Sequence, residues 1–189
     1  MLTSTRFVVL DVETTGLSPR VGHRIIEIGA VCLENGVETC AFHSLINCGC
    51  KIPPAAQRVH GICDAMLCDQ PPPSMVYPQF HQFIEGAMLV AHNARFDLAF
   101  LRHEFDKQRL PLNNGIRCTL EMSRRCLPEL LNHRLQTVAR HLIGSLPLHG
   151  RLHRALDDAR LAARVWSVLC ERFATETTRT HYRCEKIGT

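Results

Sequence analysis

The stretch that decides the fold is Phe7-Val8-Val9-Leu10-Asp11-Val12-Glu13-Thr14-Thr15-Gly16-Leu17. Phe7 to Leu10 is a short apolar run that reads as a buried strand, and it ends at Asp11. The residues after it, Thr14 to Pro19, read as a loop. Asp11 and Glu13 are separated by one residue, so a strand's period of two puts both carboxylates on the same side of the sheet. Like charges held side by side repel. A divalent cation relieves that repulsion, and hard oxygen donors favour Mg²⁺ or Mn²⁺. Alone the triplet is a weak sign, because most such pairs are surface charges.

Working outward, Ile25 to Leu33 and Thr39 to Ile46 are further strand candidates, separated by the turn-forming Glu34-Asn35-Gly36; with the first strand they predict a three-stranded meander. Pro53, Pro54 and Pro71 to Pro73 bracket a loop and a short helix around His60, and Val76 to Ile84 has helical spacing. Met88 to Ala91 is strand-like and runs into His92-Asn93-Ala94-Arg95-Phe96-Asp97. Leu98, Leu101 and Phe105 then mark one face of a helix. Ile116 to Cys118 reads as a fifth strand, with helices over Thr119 to Arg125 and Leu135 to Ile143. A long helix starts at Ala155, its stripe carried by Ala159, Ala162, Trp166, Leu169 and Phe173. The polar residues 175–189 are expected to be a tail, leaving one domain over 1–174.

The 189 residues, 46% hydrophobic and 21% charged, suit one domain with an ordinary core. No apolar run is long enough to span a membrane, and Met1 to Val9 lacks the long apolar stretch of a signal peptide, so a cytoplasmic protein is expected. The ten cysteines are accordingly read as reduced thiols. There is no Cys-X-X-Cys, and the loose set His43, Cys48, Cys50, His60, Cys63 and Cys68 lacks the paired spacing of a zinc site. Charge is uneven: residues 1–94 carry a net −3 and residues 95–189 a net +7, mostly arginine. Such a half suits a polyanion or is simply a solvated surface.

Asp97 opens a helix immediately after a strand, a position where a carboxylate also serves the helix dipole. His153 lies in the loop before the long helix, and Asp157 and Asp158 fall in its first two turns. Adjacent helical residues differ by about 100° in direction, so only one of that pair can face the site, and spacing does not choose between them. Carboxylates and an imidazole drawn from three distant segments suit two-metal phosphodiester hydrolysis. There, one ion activates a water, the other stabilises the leaving oxygen, and a histidine takes the proton.

Three segments together are specific where each alone is only suggestive. Phe7 to Leu17, His92 to Asp97, and His153-Arg154-Ala155-Leu156-Asp157-Asp158-Ala159 resemble, in order, the three motifs of the DEDDh (DnaQ-like) 3′–5′ exonucleases. The likeness covers residues 5–173 and looks closest to the epsilon-like branch of DNA polymerase III. It implies an α/β, RNase H-like fold: a five-stranded mixed sheet, second strand antiparallel, flanked by helices. It also implies Asp11, Glu13, Asp97 and Asp158 as ligands of two Mg²⁺ or Mn²⁺ ions, and His153 as general base. Asp158 is favoured over Asp157 because the family's ligand follows its histidine by five positions.

By the same resemblance, Thr14, Thr15, Gly16 and Leu17 would approach the terminal nucleotide, Asn93 would brace the site, and His60 of Val59-His60-Gly61-Ile62 would lie near the substrate or serve as a buried structural imidazole. Many proofreading relatives carry a glutamate five residues before that histidine, where this chain has Ala55. Phe96 and Trp166 are expected in the core, while Arg95, Arg151 and Arg154 would guide phosphates or lie on plain surface. The expected substrate is single-stranded or frayed DNA, with an RNase T-like or oligoribonuclease-like trimmer of RNA as alternative, and a catalytically silent nucleic-acid-binding module as a reading of another class. The 31 residues after Asp158 leave little room for a polymerase-binding segment, so a stand-alone enzyme is expected.

Overall fold

The computed structural model describes residues 6–144 and 154–184. Five strands form one mixed sheet in the order β3-β2-β1-β4-β5, so β1 is central. Strands β1 (Phe7–Thr14), β2 (Ile25–Glu34) and β3 (Val37–Leu45) form the expected antiparallel meander. The β2–β3 turn is made by Asn35 and Gly36, both at positive φ (53° and 79°), the geometry that matches the twist of a tight hairpin. Strands β4 (Met88–Ala91) and β5 (Ile116–Cys118) add on the other side of β1, each parallel to its neighbour.

Alternation along β1 separates two cores. Val8, Leu10 and Val12 face helices α3 (Pro73–Ile84) and α4 (Ala94–Gln108), among Tyr77, Phe80, Leu101 and Phe105. Val9, with Val31, Leu33 and Val90, packs against Ala162, Ala163 and Trp166 of α7 (Ala155–Cys184). Phe7 meets the Trp166 ring at 5.2 Å between centroids, so Trp166 belongs to the core as its apolar stripe predicts. Helices α5 (Thr119–Cys126) and α6 (Leu135–Ile143) close the outer side of α7 through Leu127, Val138 and Leu169. The short helices α1 (Pro54–His60) and α2 (Asp64–Leu67) cover Ile26, Ile52 and Ile62 at the edge of β2.

Strand β3 starts two residues earlier than expected and ends one earlier, α3 starts three residues earlier, and two further boundaries differ. Strand β1 runs through Asp11 and Glu13, as their period-two reading requires, and on to Thr14, one residue into the expected loop, because β2 pairs with it along its whole length and brings Asp11 opposite Gly29 and Glu13 opposite Glu27. The polar tail expected from residue 175 begins inside α7, whose backbone stays helical to Cys184; residues 185–189 lie outside those described. Among the described residues no helix is long and apolar enough to cross a membrane.

Candidate active site

Asp11, Glu13 and Asp158 converge at the end of the central strand, each offering an oxygen within 4.8 Å of the others. The period-two placement of Asp11 and Glu13 and the odd-numbered face they share with Val9 turn both toward α7. A register shift between Glu13 and Thr14 then ends the strand, the sort of irregularity that re-aims side chains beside functional sites. Asp158, one turn into α7, completes the set; Asp157 is outside it, as the five-residue spacing from His153 predicts.

Asp97 approaches from α4. It is buried, its carboxylate accepts the N–H groups of Val12 and of its own residue, and it raises the Asp11 pKa by repulsion, which puts it against the same cluster. Asn93 precedes α4 in a left-handed conformation (φ 73°), exposed at the rim, and its carbonyl accepts the Phe96 N–H at 2.8 Å. His153 lies outside the described residues.

The electrostatics of the cluster are those of a site built for cations. Burial, then repulsion from Asp97, Glu13, Asp158 and Glu27, drives the Asp11 carboxyl well above the usual range. Burial, then Asp158, Glu27 and Asp97, pushes Glu13 up to about 8 against a partial offset from Arg154, and burial takes Asp97 to about 7. Without a counter-ion, burial and mutual repulsion favour the protonated forms of these groups. Hard oxygen donors so placed fit a divalent ion that displaces those protons.

The loop after β1 is fixed by its own hydrogen bonds. The Thr14 hydroxyl donates to the Gly16 carbonyl at 2.7 Å, and Thr15 exchanges two 2.9 Å bonds with the Arg24 backbone. Gly16 lies against the His23 ring, leaving no room for a Cβ. The Arg24 guanidinium reaches across to α4 and meets the buried Glu104 carboxylate at 2.6 and 2.7 Å. Leu17 is left 85% exposed at the rim of a cleft of about 430 Å³, whose other wall is Asn93, Arg95, Phe96 and Phe100. Phe96 itself packs on the core, 5.1 Å from Phe100 between ring centroids, as expected.

His60 ends α1 as a buried residue, and its Nδ1 accepts the Ile62 N–H at 3.0 Å, so the neutral ring carries its proton on Nε2. The nucleotide-side role is a proposal. The dispersed His and Cys set does not gather into a site: His43 bonds Glu27, His60 bonds Ile62, and among the described residues Asp11, Glu13 and Asp158 are the only group arranged to hold a metal.

Sequence reasoning missed three features. Glu27, fully buried on β2, receives Arg154, His43 and the Ala155 N–H; burial would raise its pKa, and these hydrogen bonds instead hold it below the usual carboxylate range. Arg154, expected to guide phosphate or lie free, is thus engaged with protein. His92, inside the second motif, donates from Nε2 to the His133 carbonyl at 2.8 Å and meets Thr119 at 2.9 Å, so it ties β4 to the α5 region.

A mixed sheet of this order with carboxylates at the end of its central strand is an RNase H-like exonuclease fold. The exonuclease family model matches residues 8–166, and the chain belongs to the DnaQ-like 3′–5′ exonuclease family. DNA polymerase III subunit epsilon of Rickettsia felis is 40% identical over 173 residues, 87% of this chain and 74% of that protein. The PolC-type DNA polymerase III of Caldanaerobacter subterraneus subsp. tengcongensis is 38% identical over 166 residues, 88% of this chain, but the chain spans only 12% of that relative's length. The structure of Exonuclease X in complex with 5′ overhanging duplex DNA superposes with a TM-score of 0.69 at 27% identity, covering 87% of this chain and 91% of the other. E. coli Exonuclease I in complex with a dT13 oligonucleotide shares the fold, with a TM-score of 0.78 at 16% identity over 93% of this chain and 43% of that one.

Proposed function

We propose that the chain is a 3′–5′ exonuclease that removes nucleoside 5′-monophosphates from single-stranded or frayed DNA ends with the help of two Mg²⁺ or Mn²⁺ ions. The observation that carries this reading is the convergence of Asp11, Glu13 and Asp158 within 4.8 Å, with Asp97 against them. Asp11, with carboxylates on both sides, would bridge the two ions; Glu13 and Asp158 would hold the nucleophile-side ion, and Asp97 would support the other. Bound there, the cations supply Lewis-acid activation of the attacking water and of the leaving oxygen.

The rest falls to the chain's own residues. His153, two residues before α7 in the sequence, would accept the water's proton, a task matched by an imidazole's ordinary pKa near neutrality. Thr14 to Gly16 would present backbone groups to the terminal sugar and base, with Leu17 as an apolar contact and Asn93 bracing the opposite rim. The cleft of about 430 Å³ is of ligand-pocket size, and Arg20 and Arg95 on its walls carry positive charge for a polyanion. The preference for DNA is supported by the relatives at 40% and 38% identity, both named as DNA polymerase III proteins, and by the DNA-bound Exonuclease X.

The test is side-by-side digestion of 5′-labelled DNA and RNA strands of one sequence with Mg²⁺ or Mn²⁺. Stepwise shortening of DNA with release of 5′-monophosphates is the expected result. A strong advantage for RNA would overturn the substrate, and tight binding of both strands without products would turn the chain into the silent binding module. His153→Ala should slow the reaction at neutral pH while calorimetric metal binding persists; lost metal affinity would make His153 a ligand instead.

A further inference from the structure

Glu27 lies outside the three motifs, yet it is fully buried beside the site. It interrupts the apolar run Ile25-Ile26-Glu27-Ile28 in a strand covered on both faces, where a charge is costly unless it is fully partnered. Its partners are specific. Arg154 donates from Nε at 3.0 and 3.2 Å and from Nη2 at 2.7 Å, the Ala155 N–H donates at 3.2 Å, and His43 Nε2 donates at 2.7 Å.

Two of these groups belong to the entry of α7. Ala155 is its first residue, so Glu27 satisfies one of the N–H groups that a helix start leaves open and places negative charge at the positive end of the helix dipole. The Arg154 carbonyl in turn accepts the Asp158 N–H at 3.0 Å, which closes the first turn and ties Asp158 to the same residue that Glu27 grips. Two residues along β2, Gly29 lets the backbone of Ala155 and Leu156 lie directly on the strand, where any Cβ would collide with it. The start of α7 is therefore pinned to β2 at two points, and Asp158 is one turn from both.

Across the β1–β2 pair, Glu27 stands opposite Glu13. It nevertheless falls outside the group that converges for a metal, and its oxygens are occupied by donors. We propose that Glu27 and Arg154 form a positioning pair for the metal site, fixing the height and rotation of the first turn of α7 so that Asp158 meets Asp11 and Glu13. This rests on the metal-dependent reading above.

The test uses the full chain with Glu27→Gln, Arg154→Gln and the double variant. Each is measured by thermal melting, by calorimetric titration with Mn²⁺ in the absence of nucleic acid, and by kcat and KM on single-stranded DNA. Glu27→Gln keeps the shape and removes the charge that holds the guanidinium. The expected result is a cooperative melt with Mn²⁺ affinity lowered about 10- to 100-fold, the range typical of outer-shell partners of metal ligands. The kcat should fall with little change in KM, and the double variant should be no worse than Glu27→Gln alone, because the two residues act as a unit.

A folded Glu27→Gln protein with the Mn²⁺ affinity and kcat of the wild type would overturn the proposal and leave Glu27 a support of the fold only. Should that variant not fold, Arg154→Gln carries the test, its side chain being 23% exposed, and unchanged Mn²⁺ affinity and kcat there would overturn the proposal equally. Wild-type protein that binds no Mn²⁺ would instead remove the metal-dependent reading itself.

Discussion

Asp11 and Gly29 face each other across the β1–β2 pair, and the side chain that Gly29 lacks is the space that the backbone of Ala155 and Leu156 occupies. A carboxylate on the central strand and the helix bearing another are thus brought together by an absence on the strand between them.

Gly29→Ala should consequently push the start of α7 off the sheet. Overpacking of this kind costs about 1–3 kcal/mol, and a backbone neighbour gives way less readily than a side chain. We expect a lowered melting temperature together with a loss of nuclease activity larger than the fraction unfolded accounts for. Activity restored fully to the folded fraction would show that Asp158 keeps its place without the contact.

The protonated carboxyls set the pH dependence of the metal-free protein. Glu13, raised to about 8, and Asp97, raised to about 7, hold protons in the native state that the unfolded chain has already released above the ordinary carboxylate range. The native state therefore binds more protons between about pH 5 and 8, and stability should fall as pH rises through that window and level off above it. Saturating Mg²⁺ should reverse the trend, because it binds the deprotonated site. Melting in EDTA and in Mg²⁺ across this range checks both slopes.

Asp11→Asn removes one ionisable group from a repelling cluster and, on the proposed reading, the bridge between the two cations. Loss of several kcal/mol of transition-state stabilisation corresponds to a fall of more than about a hundredfold in kcat, while at pH 8 without metal the variant should melt at a higher temperature than the wild type. Near-normal turnover would remove Asp11 from the site.

Glu104→Gln leaves Arg24 beside a neutral partner in a nearly buried position, where the side chains are 13% and 0% exposed. Breaking one side of such a pair typically costs about 3–5 kcal/mol. Because Arg24 also holds Thr15, the loosened loop should raise KM for single-stranded DNA, which steady-state kinetics on the folded variant would show.

Leu17→Ala offers the converse separation. The side chain is 85% exposed, so its truncation should leave the melting temperature within about 0.5 kcal/mol of the wild type in stability. A several-fold rise in KM would assign it to the terminal nucleotide; unchanged KM would not.

Much of this architecture is legible in the sequence because its signals are local. The apolar run before Asp11, the Asn35-Gly36 turn and the stripe through Ala159, Ala162 and Trp166 each report their own element, and the five-stranded mixed sheet follows from the resemblance. The last residue of β1 is not legible, since Thr14 looks like the start of the loop until pairing with Ile25 holds it in the strand. Glu27 does leave a trace, a charge within a run of isoleucines, but its partner Arg154 is 127 positions away. The Arg24–Glu104 pair leaves none, because either residue alone reads as ordinary surface and only the packing of α4 brings them within bonding distance.

That pair has a mechanical consequence. One wall of the cleft is the stretch from Leu17 to Arg20 and the other is the first turns of α4, and the Arg24–Glu104 bond fastens the segment after the first wall to the far end of the second. Swinging the walls apart would strain a desolvated ion pair, so on the proposed reading the cleft would select chain ends by whether they thread into it.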